Sequence, residues 1–237
     1  AAQVGHAAKA TPLTLPMNVQ LITKQGEQGE LPLSIPAERI GDQVTAAGIP
    51  FAIAKDGKNA LRLAGQTLTL KKDTRRLALL LSADSNRILD FTVGGKTVPC
   101  SVLSRTRRFA SWDLYDLHET AHIQEGQLGY VSTHSHNADG TDAIAKELYF
   151  YILILNVQGG DTVVLPRDEE TLVLAATELN TVAVPCATPL YDRVEDRPFD
   201  YTMRLGDKLR YLRMKLPWYM GDKGRYFSCY NRGRERE

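Results

Sequence analysis

His118-Glu119-Thr120-Ala121-His122 matches the pattern H-E-x-x-H. On a helix, two histidines one turn apart can ligate one Zn²⁺ while the glutamate takes a proton from the metal-bound water, the chemistry of a zinc hydrolase or metallopeptidase. The surroundings work against that reading. Asp113 and Asp116 precede the motif, Gly126 follows it, and a third ligand would have to come from His134, His136 or Glu147, each on an expected strand or turn. The plainer expectation is a short polar helical loop whose histidines are solvated or cap a turn.

A second group is His134-Ser135-His136, where strand alternation points both imidazoles to one side. With His122 they could bind a metal; more often such a pair hydrogen-bonds to backbone or ligand. Asn137-Ala138-Asp139-Gly140-Thr141-Asp142 places oxygen ligands at alternate positions around a glycine, which leaves a structural calcium open, but it lacks the glutamate of an EF-hand and reads first as a turn. Sugar recognition needs an apolar face for pyranose C–H groups beside planar polar groups. Trp112, with Asp113 and Tyr115, offers that combination, and His134, His136, Asn137 and Asp139 could stand next to it at the rim of a sheet. Trp112 is the platform candidate, and a core tryptophan is the equal alternative.

These residues would be positioned by strands. Alternating or apolar β-type runs recur at 13–22, 43–54, 60–63, 67–70, 76–82, 88–93, 97–103, 127–133, 148–157, 162–165 and 171–176. Turn chemistry such as Lys55-Asp56-Gly57, Gly94-Gly95 and Gly159-Gly160 separates them. The stretches 78–81 and 150–155 are apolar throughout, as in strands covered on both faces, whereas 88–93 alternates like a half-exposed one. The pattern predicts two stacked sheets in a sandwich or barrel. Residues 1–11 read as a flexible lead-in, 12–184 as the β-sandwich, 185–200 as a linker and 201–237 as a basic, aromatic-rich tail. In that tail Leu205, Leu209, Leu212 and Leu216 predict an amphipathic helix ended by Pro217.

The 237 residues, 43% hydrophobic and 24% charged, suffice for a packed core, and the formal net charge of +1 gives no whole-chain reason to bind nucleic acid. The tail from Tyr201 onward does carry ten bases against four acids, interleaved with aromatics. Its leucine stripe accounts for the first half as a docking helix, so nucleic acid is not expected. Cys100, Cys186 and Cys229 have no paired spacing, which leaves one bridge or none and argues against a zinc knuckle. No apolar run is long enough for a membrane-spanning helix, and residues 1–10 lack the apolar region of a signal peptide.

Several stretches, in order, resemble the β-rich region downstream of the catalytic domain in bacterial family 38 glycoside hydrolases, the α-mannosidase group. They are Gly48-Ile49-Pro50-Phe51, Lys58-Asn59-Ala60-Leu61, Gly65-Gln66-Thr67-Leu68, residues 76–83, Phe91-Thr92-Val93-Gly94-Gly95, Ser111-Trp112-Asp113, residues 135–140, Val164-Leu165-Pro166 and Pro189-Leu190-Tyr191-Asp192. The resemblance spans about residues 13–192 and departs from the family at 109–126 and in the tail. It implies an all-β, galactose-binding-like jelly-roll sandwich, to which the tail would add its amphipathic helix. The implied role is a secreted or periplasmic, non-catalytic accessory module that binds a glycan, with mannose type as the family's example, or buttresses a catalytic glycoside hydrolase domain or subunit. No cofactor is expected on this reading. A zinc-dependent hydrolase using His118, Glu119 and His122, and a purely structural or assembly domain, stand as the alternatives.

Overall fold

A computed structural model describes residues 10–107, 110–115, 118–123 and 126–181, the two short stretches as backbone. The chain divides into two units, residues 1–111 with 121–187, and residues 112–120 with 188–237. Among the described residues the protein is an all-β sandwich whose one helical element is the 3-10 turn η1, Ala37–Arg39. The predicted C-terminal helix lies outside the described residues.

The two apolar runs sit side by side in the middle of the first unit. β8 (Arg76–Ser82) pairs antiparallel with β16 (Tyr149–Asn156), Leu79 opposite Leu153 and Leu77 opposite Leu155. On its other edge β8 pairs with β18 (Arg167–Leu179), which continues to β1 (Ala10–Leu13); β13 (Gln127–Val131) flanks β16, and β6 (Leu61–Ala64) pairs with the start of β18. Residues 77–82 of β8 are all buried. Since strand side chains alternate between faces, burial of every one requires a core on each side of the sheet.

Both cores are present. Leu77, Leu79 and Leu81 pack with Phe91, Val93, Val102 and Val163. Those partners come from a four-stranded sheet ordered β10 (Lys96–Val102), β9 (Arg87–Val93), β17 (Thr162–Val164), β7 (Thr67–Thr69). Ala78 and Leu80 pack instead with Ile22, Ile35, Ile49 and Phe51. These come from β2 (Ile22–Thr23), β3 (Leu33–Pro36), and the hairpin of β4 (Gln43–Ala46) and β5 (Ile49–Ala52). β2 and β3 belong to a second four-stranded sheet, completed by β14 (Ser135–Asn137) and β15 (Asp142–Ala143). The central sheet is therefore covered twice, where two stacked sheets were expected. In β18 a bulge between Val173 and Ala175 sends the consecutive residues Leu174 and Ala175 into the same core and resets the alternation.

Other boundaries moved for identifiable reasons. Residues 43–54, read as one run, fold back on themselves because Ala47 (φ 49°) and Gly48 (φ 73°) supply the two left-handed residues of a tight hairpin. Residues 14–21 carry no strand beyond a bridge from Val19 to Ala60. Their backbone is tied instead by Asn59, wholly buried, whose Oδ1 accepts from the N–H groups of Leu21 and Ile22 while Nδ2 donates to the carbonyls of Ile22 and Lys55. β1 begins inside the supposed lead-in because Ala10 and Thr11 have Leu179 and Glu178 to pair with. Cys100 is a free, buried thiol, its pKa pushed up by burial and then by Asp90.

The helical expectation for residues 118–122 is corrected. β11 (Ala110–Tyr115) and β12 (His118–Ile123) form a two-stranded sheet. Thr120 and Ile123, both β-branched, suit that choice.

Candidate functional site

The β14–β15 end of the small sheet gathers polar side chains. β14 pairs with β3, His136 opposite Ser34, and with β15, His136 opposite Asp142. The turn between β14 and β15 is closed locally: Gly140 N–H donates to the Asn137 carbonyl (2.9 Å) and Asn137 N–H to the Thr141 carbonyl (2.8 Å). Asp139 Oδ1 accepts from the Thr141 backbone N–H (3.0 Å) and hydroxyl (2.6 Å). The hydroxyl contact first, then the backbone one, holds the Asp139 carboxyl below its ordinary range. Gly140 stands at φ +84°, where a Cβ would come within 2.7 Å of the Gly26 backbone, so the turn can seat on residues 26–29 only with glycine there. Gly26 and Gly29 N–H groups donate to the Gly140 and Ala138 carbonyls across that contact.

Behind this turn lies a buried histidine. His136 is 0% exposed. Its Nδ1 is 3.0 Å from Thr23 Oγ1, which is 2.6 Å from Ser34 Oγ. Its Nε2 lies 3.3 Å from Glu38 Oε1 and 3.5 Å from Asp142 Oδ1, yet forms no hydrogen bond. His134 stands beside it with ring centroids 5.8 Å apart, its Nδ1 3.0 Å from Thr133 Oγ1 and its Nε2 4.0 Å from Asp142 Oδ1. One ligand-type atom each from Glu38, His134 and His136 falls within 4.8 Å of the other two.

Glu38 also faces an open groove of about 480 Å³, lined with Lys24, Gln25, Ala37, Lys55 and Asp56. Lys24 Nζ is 3.8 Å from Asp56, and Lys55 Nζ is 2.9 Å from Asp42. The walls thus combine ammonium and amide donors with carboxylate acceptors.

The sequence-derived site residues divide accordingly. His134 and His136 come together on one side of their strand as the alternation predicts, with Asn137 in the same turn. Asn137 and Asp139 direct polar atoms to Thr141, through Nδ2 and Oδ1 respectively. Trp112, Asp113 and Tyr115 fall on β11; His118, Glu119 and His122 fall on β12. Residues four apart on a strand stand about 13 Å apart along it, and not one turn apart as on a helix. Glu147 lines a different cavity with Leu33, Thr106 and Lys146. Thr23, Ser34 and Glu38 escaped the sequence reading, because they reach His136 only through strand pairing and the turn after β3, about a hundred residues away along the chain, and no local pattern marks them.

Residues 8–182 match the model of the AziU2-like beta-sandwich domain. Among solved structures, the chain is similar to the catalytic unit of a thermostable GH87 alpha-1,3-glucanase from Streptomyces thermodiastaticus, at 15% identity over 78% of this chain and 28% of that one, with a TM-score of 0.31. It is also similar to the catalytic domain of a GH87 alpha-1,3-glucanase in complex with tetrasaccharides, at 12% identity, 88% and 34% coverage and a TM-score of 0.31. The chain thus spans about a third or less of those solved chains. No curated protein matches it.

Proposed function

Since the chain belongs to the family of AziU2-like β-sandwich domains, we propose that it is a non-catalytic accessory module that binds a glycan in the groove beside Glu38. The groove carries this reading. It is open, polar and furnished with both donors and acceptors, which suits a hydroxyl-rich ligand, each of whose OH groups both gives and takes a hydrogen bond. Its one apolar wall residue, Ala37, offers little for a sugar C–H face, so the ligand is held weakly and mainly by polar contacts. Trp112 on β11 is the candidate for an additional platform.

The resemblance of its ordered motifs to the region downstream of the family 38 catalytic domain favours a galactose-binding-like jelly roll, a mannose-type ligand, and a catalytic glycoside hydrolase domain or subunit as working partner. An extracellular or periplasmic setting goes with that role.

A glycan array followed by calorimetry tests the proposal. The folded chain retains mannose-type glycans, and the Lys55→Ala/Asp56→Ala double variant loses at least tenfold in affinity while melting as the wild type does. Failure of the folded wild type to retain any glycan would leave a structural or assembly domain as the reading, and retention by the double variant would move the site away from the groove.

A further inference from the structure

We propose that Glu38, His134 and His136 are the protein ligands of a divalent first-row transition ion, with Asp142 beside them as a second carboxylate. The inference is independent of the glycan reading, since it concerns the contacts of Glu38 with His134 and His136 and not the groove.

The first argument is the unmet polarity of His136. Its Nε2 is sealed from solvent, makes no hydrogen bond, and faces two carboxylate oxygens at 3.3 and 3.5 Å. A buried ring nitrogen facing two carboxylates is satisfied by a proton on that nitrogen or by a cation between them, and the missing hydrogen bond favours the cation. Glu38 Oε1 at 3.3 Å is within bonding distance, yet no hydrogen bond forms.

The second argument is spacing. Tetrahedral bonds of 2.0–2.2 Å from nitrogen and carboxylate oxygen to zinc put neighbouring ligand atoms roughly 3.3–3.5 Å apart. The His136–Glu38 and His136–Asp142 separations already have that value. His134 Nε2 is 4.0 Å from Asp142 Oδ1, and one ring nitrogen of His134 lies within 4.8 Å of its counterparts on Glu38 and His136. Two imidazoles and carboxylates form a donor set that suits zinc, iron(II) and their neighbours better than calcium or magnesium.

The third argument is the support behind the ligands. Metal-bound histidines commonly donate their second ring N–H to a fixed acceptor, which sets the tautomer. Here Thr23 Oγ1, itself held by Ser34, stands 3.0 Å from Nδ1 of His136, and Thr133 Oγ1 stands 3.0 Å from Nδ1 of His134. With Nδ1 as the donor in each ring, both Nε2 atoms carry lone pairs.

The test uses the full chain without a polyhistidine tag, stripped with chelator and titrated with Zn²⁺ by calorimetry and with Co²⁺ by visible absorption. One equivalent binds, and Co²⁺ gives the intense d–d bands of a low-coordinate site. Glu38→Gln and His134→Ala, both at positions with solvent access, each weaken binding at least tenfold, whereas His118→Ala/His122→Ala leaves it unchanged. A folded wild-type chain that takes up no Zn²⁺, or a site that Glu38→Gln and His134→Ala leave as tight as before, would overturn the assignment. So would loss of the ion in the His118/His122 variant alone.

Discussion

Four hydrogen bonds meet at the buried amide of Asn59, joining the segment before β2 to the loop that precedes β6. Asn59→Ala leaves two N–H groups and two carbonyls without that partner. A buried N–H left unsatisfied costs about 1–3 kcal/mol, so the variant should lose about 3 kcal/mol, read from the shift of its urea midpoint. A loss below about 1 kcal/mol would mean that water or a shifted backbone replaces the amide. Tyr130 and Tyr151 act at the other end of the pH scale. Burial pushes both phenols up to about 12 from an ordinary 10.0. The folded chain then holds these protons more tightly than the unfolded chain, so their contribution is complete below pH 10 and is lost as the pH rises to 12. Denaturation at pH 9 and pH 11.5 should show this loss, reduced in Tyr130→Phe; an equal loss in that variant would remove Tyr130 from the account. At this scale the sequence was half legible. His134 and His136 could be paired from alternation alone, but their neighbours Thr23, Ser34 and Glu38 could not, because nothing in their local sequence distinguishes them from the chain's other Ser, Thr and Glu residues.

Among the strands, β8 and β9 differ in what each face meets. Leu79 and Leu80 are both fully buried although they point to opposite sides of the central sheet, whereas Ile88 on β9 is 74% exposed. Leu79→Ala and Leu80→Ala should therefore cost similar amounts, about 2–5 kcal/mol each, while Ile88→Ala stays within about 0.5 kcal/mol. A large difference between the two leucines in urea unfolding would mean that one of the two cores is loosely packed. The sequence made this contrast visible: an uninterrupted apolar run marked β8, and apolar-polar alternation marked β9. It failed where strands are short or broken by proline. Leu33–Pro36, flanked by Pro32 and ending on Pro36, carries no run long enough to read, yet β3 holds the His136 edge together through parallel pairing with β2 on one side and antiparallel pairing with β14 on the other. At β12 the H-E-x-x-H pattern argued for a helical period, and the backbone adopts the other one.

Taken whole, the first unit is a sheet with two coats. Composition and turn spacing reached the sandwich, and the strands apolar on both faces reached its middle layer. What lay beyond them was the second coat, which is assembled from two-, three- and four-residue strands whose identity depends on partners far along the chain. One further consequence concerns how such a body could be carried. β1 and β18 pair antiparallel with Ala10 directly opposite Leu179, so the strands that open and close the sandwich stand side by side, about 5 Å apart. The chain thus passes into and out of the sandwich through one doorway, so whatever is joined ahead of β1 and whatever follows β18 leave it from neighbouring strands.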